Sequence, residues 1–195
     1  MTRVRTRYWI IGFLVVALVA GGFAGVRWWQ HRSERAIAGE RLNAFPALDS
    51  SALSLDQSRV VTVLRREYAD PGDSRKYAEG TEEAWCADFV SWVLNKAGRP
   101  LANPNSGSWR IPGVATLREY LESQGSFVAA DAGYLPRVGD VVLYAPTSPF
   151  GQHTNFVLAA DAGGLTTIGG NERGGIRIHH YERAAVPGIV GFGRL

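Results

Sequence analysis

One cysteine, Cys86, is the strongest nucleophile in the 195-residue chain, and it lies in the stretch "EEAWCADFVSWVLNKAG" (82–98). A thiol attacks a carbonyl carbon when a base takes its proton and a third group holds that base. With no second cysteine there is no internal disulfide, so Cys86 is a core filler, an intermolecular link or a reactive thiol. The apolar helix face fits the core filler, while the place near the start of a predicted helix lends force to the last reading, because free N–H groups and the helix dipole favour negative charge there. Four histidines are candidate bases. His31 lies beside a long apolar segment, while His179 and His180 are neighbours on a predicted strand, face opposite sides and have no metal-ligand spacing. His153 follows the loop "SPFGQ" and opens a strand, where a side chain can be presented at a sheet rim. Asn171 closes the next strand in "TTIGGNE". If the two strands form a hairpin, His153 and Asn171 meet at one end of it. Glu172 is the alternative orienter, but regular alternation turns it to the opposite face from Asn171.

The elements that must position these groups follow from the hydrophobic period. "DQSRVVTVLRREYAD" carries Val60, Val61, Leu64 and Tyr68 at helical spacing, with Asp56 as the expected N-cap and Pro71-Gly72 as the stop. A second helix is predicted from Thr81 as N-cap to Gly98, with Trp85, Cys86, Phe89, Val90, Val93 and Leu94 on its apolar face. A third runs over about 114–123. After "YLPRVGD" the period changes to short segments rich in β-branched and aromatic residues, at 140–145, 154–161, 165–170, 176–182 and 189–195. Helices followed by strands, with no βαβ rhythm, predict an α+β domain with an antiparallel sheet.

Residues 8–26 carry no charge, and as a helix they would span about 28 Å, close to a bilayer's hydrocarbon core. Tyr8, Trp9, Trp28 and Trp29 flank the segment as an aromatic belt would. The expectation is a single-pass anchor with the following domain outside the cytoplasm; the alternative is a cleaved signal and a secreted domain. Much of the net charge of +3 comes from Arg3, Arg5, Arg7, Arg27, Arg32 and Arg35 around that segment, so nucleic acid is not an expected partner. The expected organisation is an N-terminal anchor or signal over 1–27, a linker over 28–55 and a folded domain over 56–195.

Three separated motifs, "WCADFVSWVLNKAG", "LPRVGDVVLY" and "QHTNFVLAADAGGLTTIGGNE", resemble in order and spacing the CHAP domains. These are cysteine, histidine-dependent amidohydrolases/peptidases with a papain-like fold. The resemblance covers roughly residues 56–195 and implies Cys86 as nucleophile, His153 as base and Asn171 as orienter. It also implies N-terminal helices packed on a five- to six-stranded antiparallel sheet, no cofactor and no metal. The implied substrates are the peptides of peptidoglycan, cut by an amidase or an endopeptidase; a catalytically inactive scaffold in cell-wall assembly is the competing reading. Two positions depart from many relatives. Asn155 stands in place of a glycine, and Gly169 in place of a glutamate two residues before the asparagine, so any role of that glutamate is expected to be missing. Trp85, Trp109 and Asn155 are the expected substrate contacts, with the loop 99–113 as one groove wall. Oligomeric state is not legible.

Overall fold

The computed structural model describes residues 36–195. The expected membrane segment over 8–26 and His31 lie outside the described residues. Among the described residues no helix is long and apolar enough to cross a membrane.

The first elements of the described residues are a three-residue strand, β1 (Glu40–Leu42), and helix α1 (Leu55–Ala69). The N-cap of α1 is Ser54, not Asp56: the Ser54 hydroxyl accepts the Gln57 N–H while the Gln57 carboxamide accepts the Ser54 N–H, a reciprocal capping box. A single turn, α2 (Ser74–Tyr77), precedes α3 (Cys86–Lys96) and α4 (Val114–Ser123). Helix α3 begins at Cys86 rather than near Thr81. It ends in a Schellman motif, with Gly98 at φ +78°, the Gly98 N–H on the Asn95 carbonyl and the Arg99 N–H on the Leu94 carbonyl. That left-handed position is where glycine is required.

Six more strands follow: β2 (Phe127–Ala129), β3 (Val141–Tyr144), β4 (His153–Ala160), β5 (Gly164–Glu172), β6 (Gly175–Glu182) and β7 (Ile189–Gly193). They make one antiparallel sheet in the order β1-β6-β5-β4-β3-β7-β2. The α+β class therefore holds, with seven strands where five or six were expected. The two additional strands, β1 and β2, are three-residue edge strands, too short to show a period of two.

One face of the sheet buries Phe156, Leu158, Ile168 and Ile178 against Trp85, Phe89, Val90 and Val93 of the α3 region. The other gathers Val142, Tyr144, Val157, Leu165, Tyr181 and Phe192 in a second cluster. The stretch expected as a linker over 28–55 is not free where it is described. β1 adds to β6, Leu42, Phe45 and Leu48 pack on the main core, and the Tyr68 hydroxyl donates to the Leu42 carbonyl at 3.2 Å. Apolar residues spaced through a polar stretch were the signal for this packing.

Candidate active site

Cys86 is the first residue of α3, and its N-cap, Trp85, supplies no side-chain cap bond. The indole of Trp85 instead stacks on Tyr77, with centroids 5.0 Å apart, and meets Phe89 edge-on. This aromatic group presses the first turn of α3 onto β5 at Gly170, where a Cβ would overlap the Trp85 ring and Phe89. Close approach at a residue without a side chain thus sets the helix that begins at Cys86 on the sheet. His153 opens β4, next to Tyr144 in the β3 register. Its imidazole takes part in two polar contacts, one with the Cys86 thiol and one through Nε2 with Glu172 Oε1 at 3.2 Å. With Nε2 committed to the carboxylate, Nδ1 is the nitrogen left for the sulfur.

The carboxylate comes from Glu172, not from an amide at Asn171. Along β5 and β6, Gly169 pairs with Arg177 but Glu172 pairs with Gly175, so β5 holds one extra residue in between. Asn171 sits at this irregularity with φ +60°, partly exposed, and makes no hydrogen bond to His153. A β-bulge breaks the alternation of faces, which is why the parity argument against Glu172 fails. Gly169 makes the arrangement possible: a Cβ there would overlap Glu172 Oε1 and stand 2.8 Å from Asn155 Cβ. The carboxylate of Glu172 thus fills the space left by the missing side chain at 169. The role expected to be lost with Gly169 is open to a glutamate three positions later.

Glu172 is 1% exposed, so every oxygen it buries needs a donor. Oε1 accepts from His153 and, at 3.3 Å, from the Asn155 carboxamide nitrogen. That same nitrogen reaches Thr167 Oγ1 at 3.2 Å, while the Tyr144 hydroxyl donates to Asn155 Oδ1 at 3.1 Å, which fixes the amide's orientation. Oε2 lies 2.8 Å from His179 Nδ1 in a bent contact. Burial pushes the Glu172 carboxyl up, but the contacts with His153 and His179 and the charge of His153 outweigh it and hold the group below the ordinary range. For His153 burial favours the neutral ring, yet hydrogen bonds with Cys86 and Glu172 prevail and raise it to about 9. At neutral pH His153 therefore carries a proton that both neighbours stabilise. Phe150, from the loop before β4, stacks on this ring with centroids 5.6 Å apart and an interplanar angle of 10°, shielding it from water.

Of the expected substrate contacts, two are corrected. Trp85 is buried in the Tyr77–Phe89 group, and Asn155 is wholly buried as a support for Glu172, so neither offers surface to a substrate. Trp109 alone keeps partial exposure, on the loop 99–113. Arg110 is not free for a substrate either: its Nε donates to Asp88 Oδ1 at 2.7 Å, and its guanidinium also pairs with Glu83. Together with the Ile111 N–H donating to Ser91 Oγ at 3.0 Å, this pins the loop to α3. Burial raises the Asp88 carboxyl to about 6 despite Arg110. Sequence reasoning missed Phe150, Tyr144 and His179 as parts of the site, and set Glu172 aside. Consecutive glycines inside a strand, at 169–170, were the available sign of a bulge. Among the described residues no group of three or more His, Cys, Asp or Glu side chains is arranged to hold a metal ion.

Residues 76–171 match the family model of the CHAP domain. No curated protein matches the chain.

Proposed function

The chain carries a CHAP domain over residues 76–171, and from that premise we propose that it is a cysteine hydrolase cutting amide bonds in the stem peptides of peptidoglycan. CHAP domains are generally hydrolases, amidases or peptidases, related to peptidoglycan. The observation that carries the finer reading is the buried contact series from Cys86 through His153 to Glu172.

In this reading the sulfur attacks the scissile carbonyl carbon, and the bond to nitrogen breaks as the His153 proton moves to the leaving amine. The product is a thioester on Cys86. His153, now neutral, takes a proton from water, whose oxygen attacks the thioester; the carboxylic acid leaves and the thiol–imidazole pair is restored. Glu172 is the positioning residue: its Oε1 holds Nε2–H, so Nδ1 stays turned to the sulfur. The oxyanion needs N–H donors beside the sulfur. A helix leaves its first N–H groups without intrahelical partners, and the Trp85 cap occupies none of them with its side chain. That accounts for an aromatic residue where a serine or aspartate would cap better.

The uncharged segment 8–26 supports attachment to the cell membrane, with the domain on the outer side where peptidoglycan lies. Incubating the full chain with purified peptidoglycan and weighing the released fragments tests the reading and reports which amide is cut. Replacing Cys86 by alanine is expected to abolish release with the melting temperature nearly unchanged. Release at the parent rate from that variant would end the nucleophile assignment.

A further inference from the structure

The carboxylate that holds His153 is itself held from behind. We propose that His179 is a second positioning residue of this site and that the backbone N–H of Ile37 fixes its tautomer, wiring the segment that enters β1 to the reactive imidazole. The inference rests on the thiol–imidazole reading above.

His179 is fully buried on β6, where its backbone pairs with Arg41 of β1 on one side and Thr167 of β5 on the other. Its ring has two polar neighbours. Nε2 accepts the Ile37 N–H at 3.1 Å, so the ring proton resides on Nδ1. Nδ1 lies 2.8 Å from Glu172 Oε2 in a contact too bent for hydrogen-bond geometry, and neither atom has a hydrogen-bond partner. The opposite tautomer would turn a lone pair on the carboxylate and a second proton on the Ile37 N–H, losing both ends at once. Only the arrangement with Nδ1–H toward Glu172 suits the surroundings.

Such a contact does more than fill a vacancy. The terminal torsion of a glutamate is soft, so two donors on Oε1 alone leave the carboxylate plane free to swing. A donor on Oε2 fixes that plane, and with it the position of Oε1 beneath His153 Nε2. Phe150 encloses the same series: it lies flat on His153 and meets His179 edge-on, with centroids 5.5 Å apart at 82°. Water is thereby kept from both imidazoles, and each hydrogen bond is stronger for it. The order Ile37, His179, Glu172, His153, Cys86 runs from a residue just ahead of β1 to the nucleophile.

Isosteric substitutions in the full chain separate positioning from packing. Asparagine places its amide nitrogen near the site of Nδ1, glutamine near the site of Nε2. The readouts are the rate of Cys86 alkylation by iodoacetamide against pH, turnover on peptidoglycan, and melting temperature. His179→Leu is expected to lower turnover about tenfold at unchanged KM, the order of effect for a lost hydrogen bond to a charged group, and to displace the alkylation profile. His179→Asn should restore most of that loss, His179→Gln little of it. Ile37→Pro, which removes the N–H, should fall between parent and His179→Leu. Equal rates and profiles for the asparagine and glutamine variants would overturn the proposal, even if the leucine variant fails to fold. So would a parental alkylation profile in folded His179→Leu. A parent chain whose Cys86 reacts no faster than a simple thiol at any pH would instead remove the underlying thiol–imidazole reading.

Discussion

The two faces of the sheet use the same strands to different ends. Toward α3, Phe156, Leu158, Ile168 and Ile178 meet Trp85, Phe89 and Val93, an almost wholly apolar contact that is held by burial and ring packing. On the opposite face, alternate residues of those strands place Tyr144, Asn155, Thr167, His179 and Tyr181 among Val142, Val157 and Leu165. There the polar atoms are paired with one another: Tyr144 with Asn155 and Tyr181, Asn155 with Thr167 and Glu172, His179 with Glu172. An apolar contact is non-directional and tolerates small shifts, whereas a buried polar series holds only at its hydrogen-bonding geometry. The first face supplies stability and carries the helix that begins at Cys86; the second supplies the orientation of one imidazole.

Damage to each face has its own signature. Phe89 lies at the centre of the apolar side, where truncation leaves a cavity. Phe89→Ala is expected to cost roughly 3–5 kcal/mol of stability, read by denaturant unfolding, while the folded molecules keep the parental pH profile of Cys86 alkylation. A changed profile in that variant would join the two faces functionally. Gly169→Ala acts in the reverse sense. Its methyl group would occupy the place of Glu172 Oε1, so turnover should fall about tenfold, as for a lost hydrogen bond to a charged group, with a smaller loss of stability.

Protonation tests the polar face without substitution. Glu172 is held below its ordinary range, so its contribution to stability is present above about pH 4.3 and is lost as pH falls through its lowered value. His153 is raised to about 9, so its contribution is full below about pH 6.5 and is lost as pH rises through 9. Melting temperature against pH should therefore be highest between these limits. Glu172→Gln should flatten the curve at both ends, because the carboxylate titrates at one end and supports the imidazolium at the other. An unaltered curve would show that the series does not couple to folding.

How far the sequence reveals this molecule depends on the length and regularity of each element. Helix α3 and strands β3 to β7 were legible because their apolar residues keep a period over four or more positions. β1 and β2 were not, since three residues on a sheet edge carry no period, and β1 is recognisable only from its register with His179 and its neighbours. Cys86 and His153 stand out in the sequence by type and place, a lone thiol at a helix start and an imidazole at a strand start, and the structure brings the two side chains into contact. For the third member the sequence pointed to Asn171, whereas the structure sets Glu172 beside His153, for a definite reason. Asn171 and Glu172 are adjacent, and parity decides between them only if the strand is regular; the extra residue in β5 reverses the answer. Gly169 and Gly170 mark that irregularity, the first by leaving room for a carboxylate and the second by admitting Trp85 and Phe89. Trp85 and Asn155, expected as substrate contacts, occupy a helix cap and a central strand, and both are buried there.

The central claim is that Glu172, rather than its neighbour Asn171, holds His153 toward Cys86. Turnover of peptidoglycan by Glu172→Gln and Asn171→Ala, measured side by side with the melting temperature of each, tests it most directly. The glutamine keeps the size of the side chain and removes its charge, so Glu172→Gln should lose at least about tenfold in turnover at unchanged KM, as expected for one hydrogen bond to a charged group. Asn171→Ala, which removes no bond to the imidazole, should stay within about threefold of the parent, the range of an ordinary surface change. Parental turnover in Glu172→Gln together with a collapse in Asn171→Ala would contradict the account.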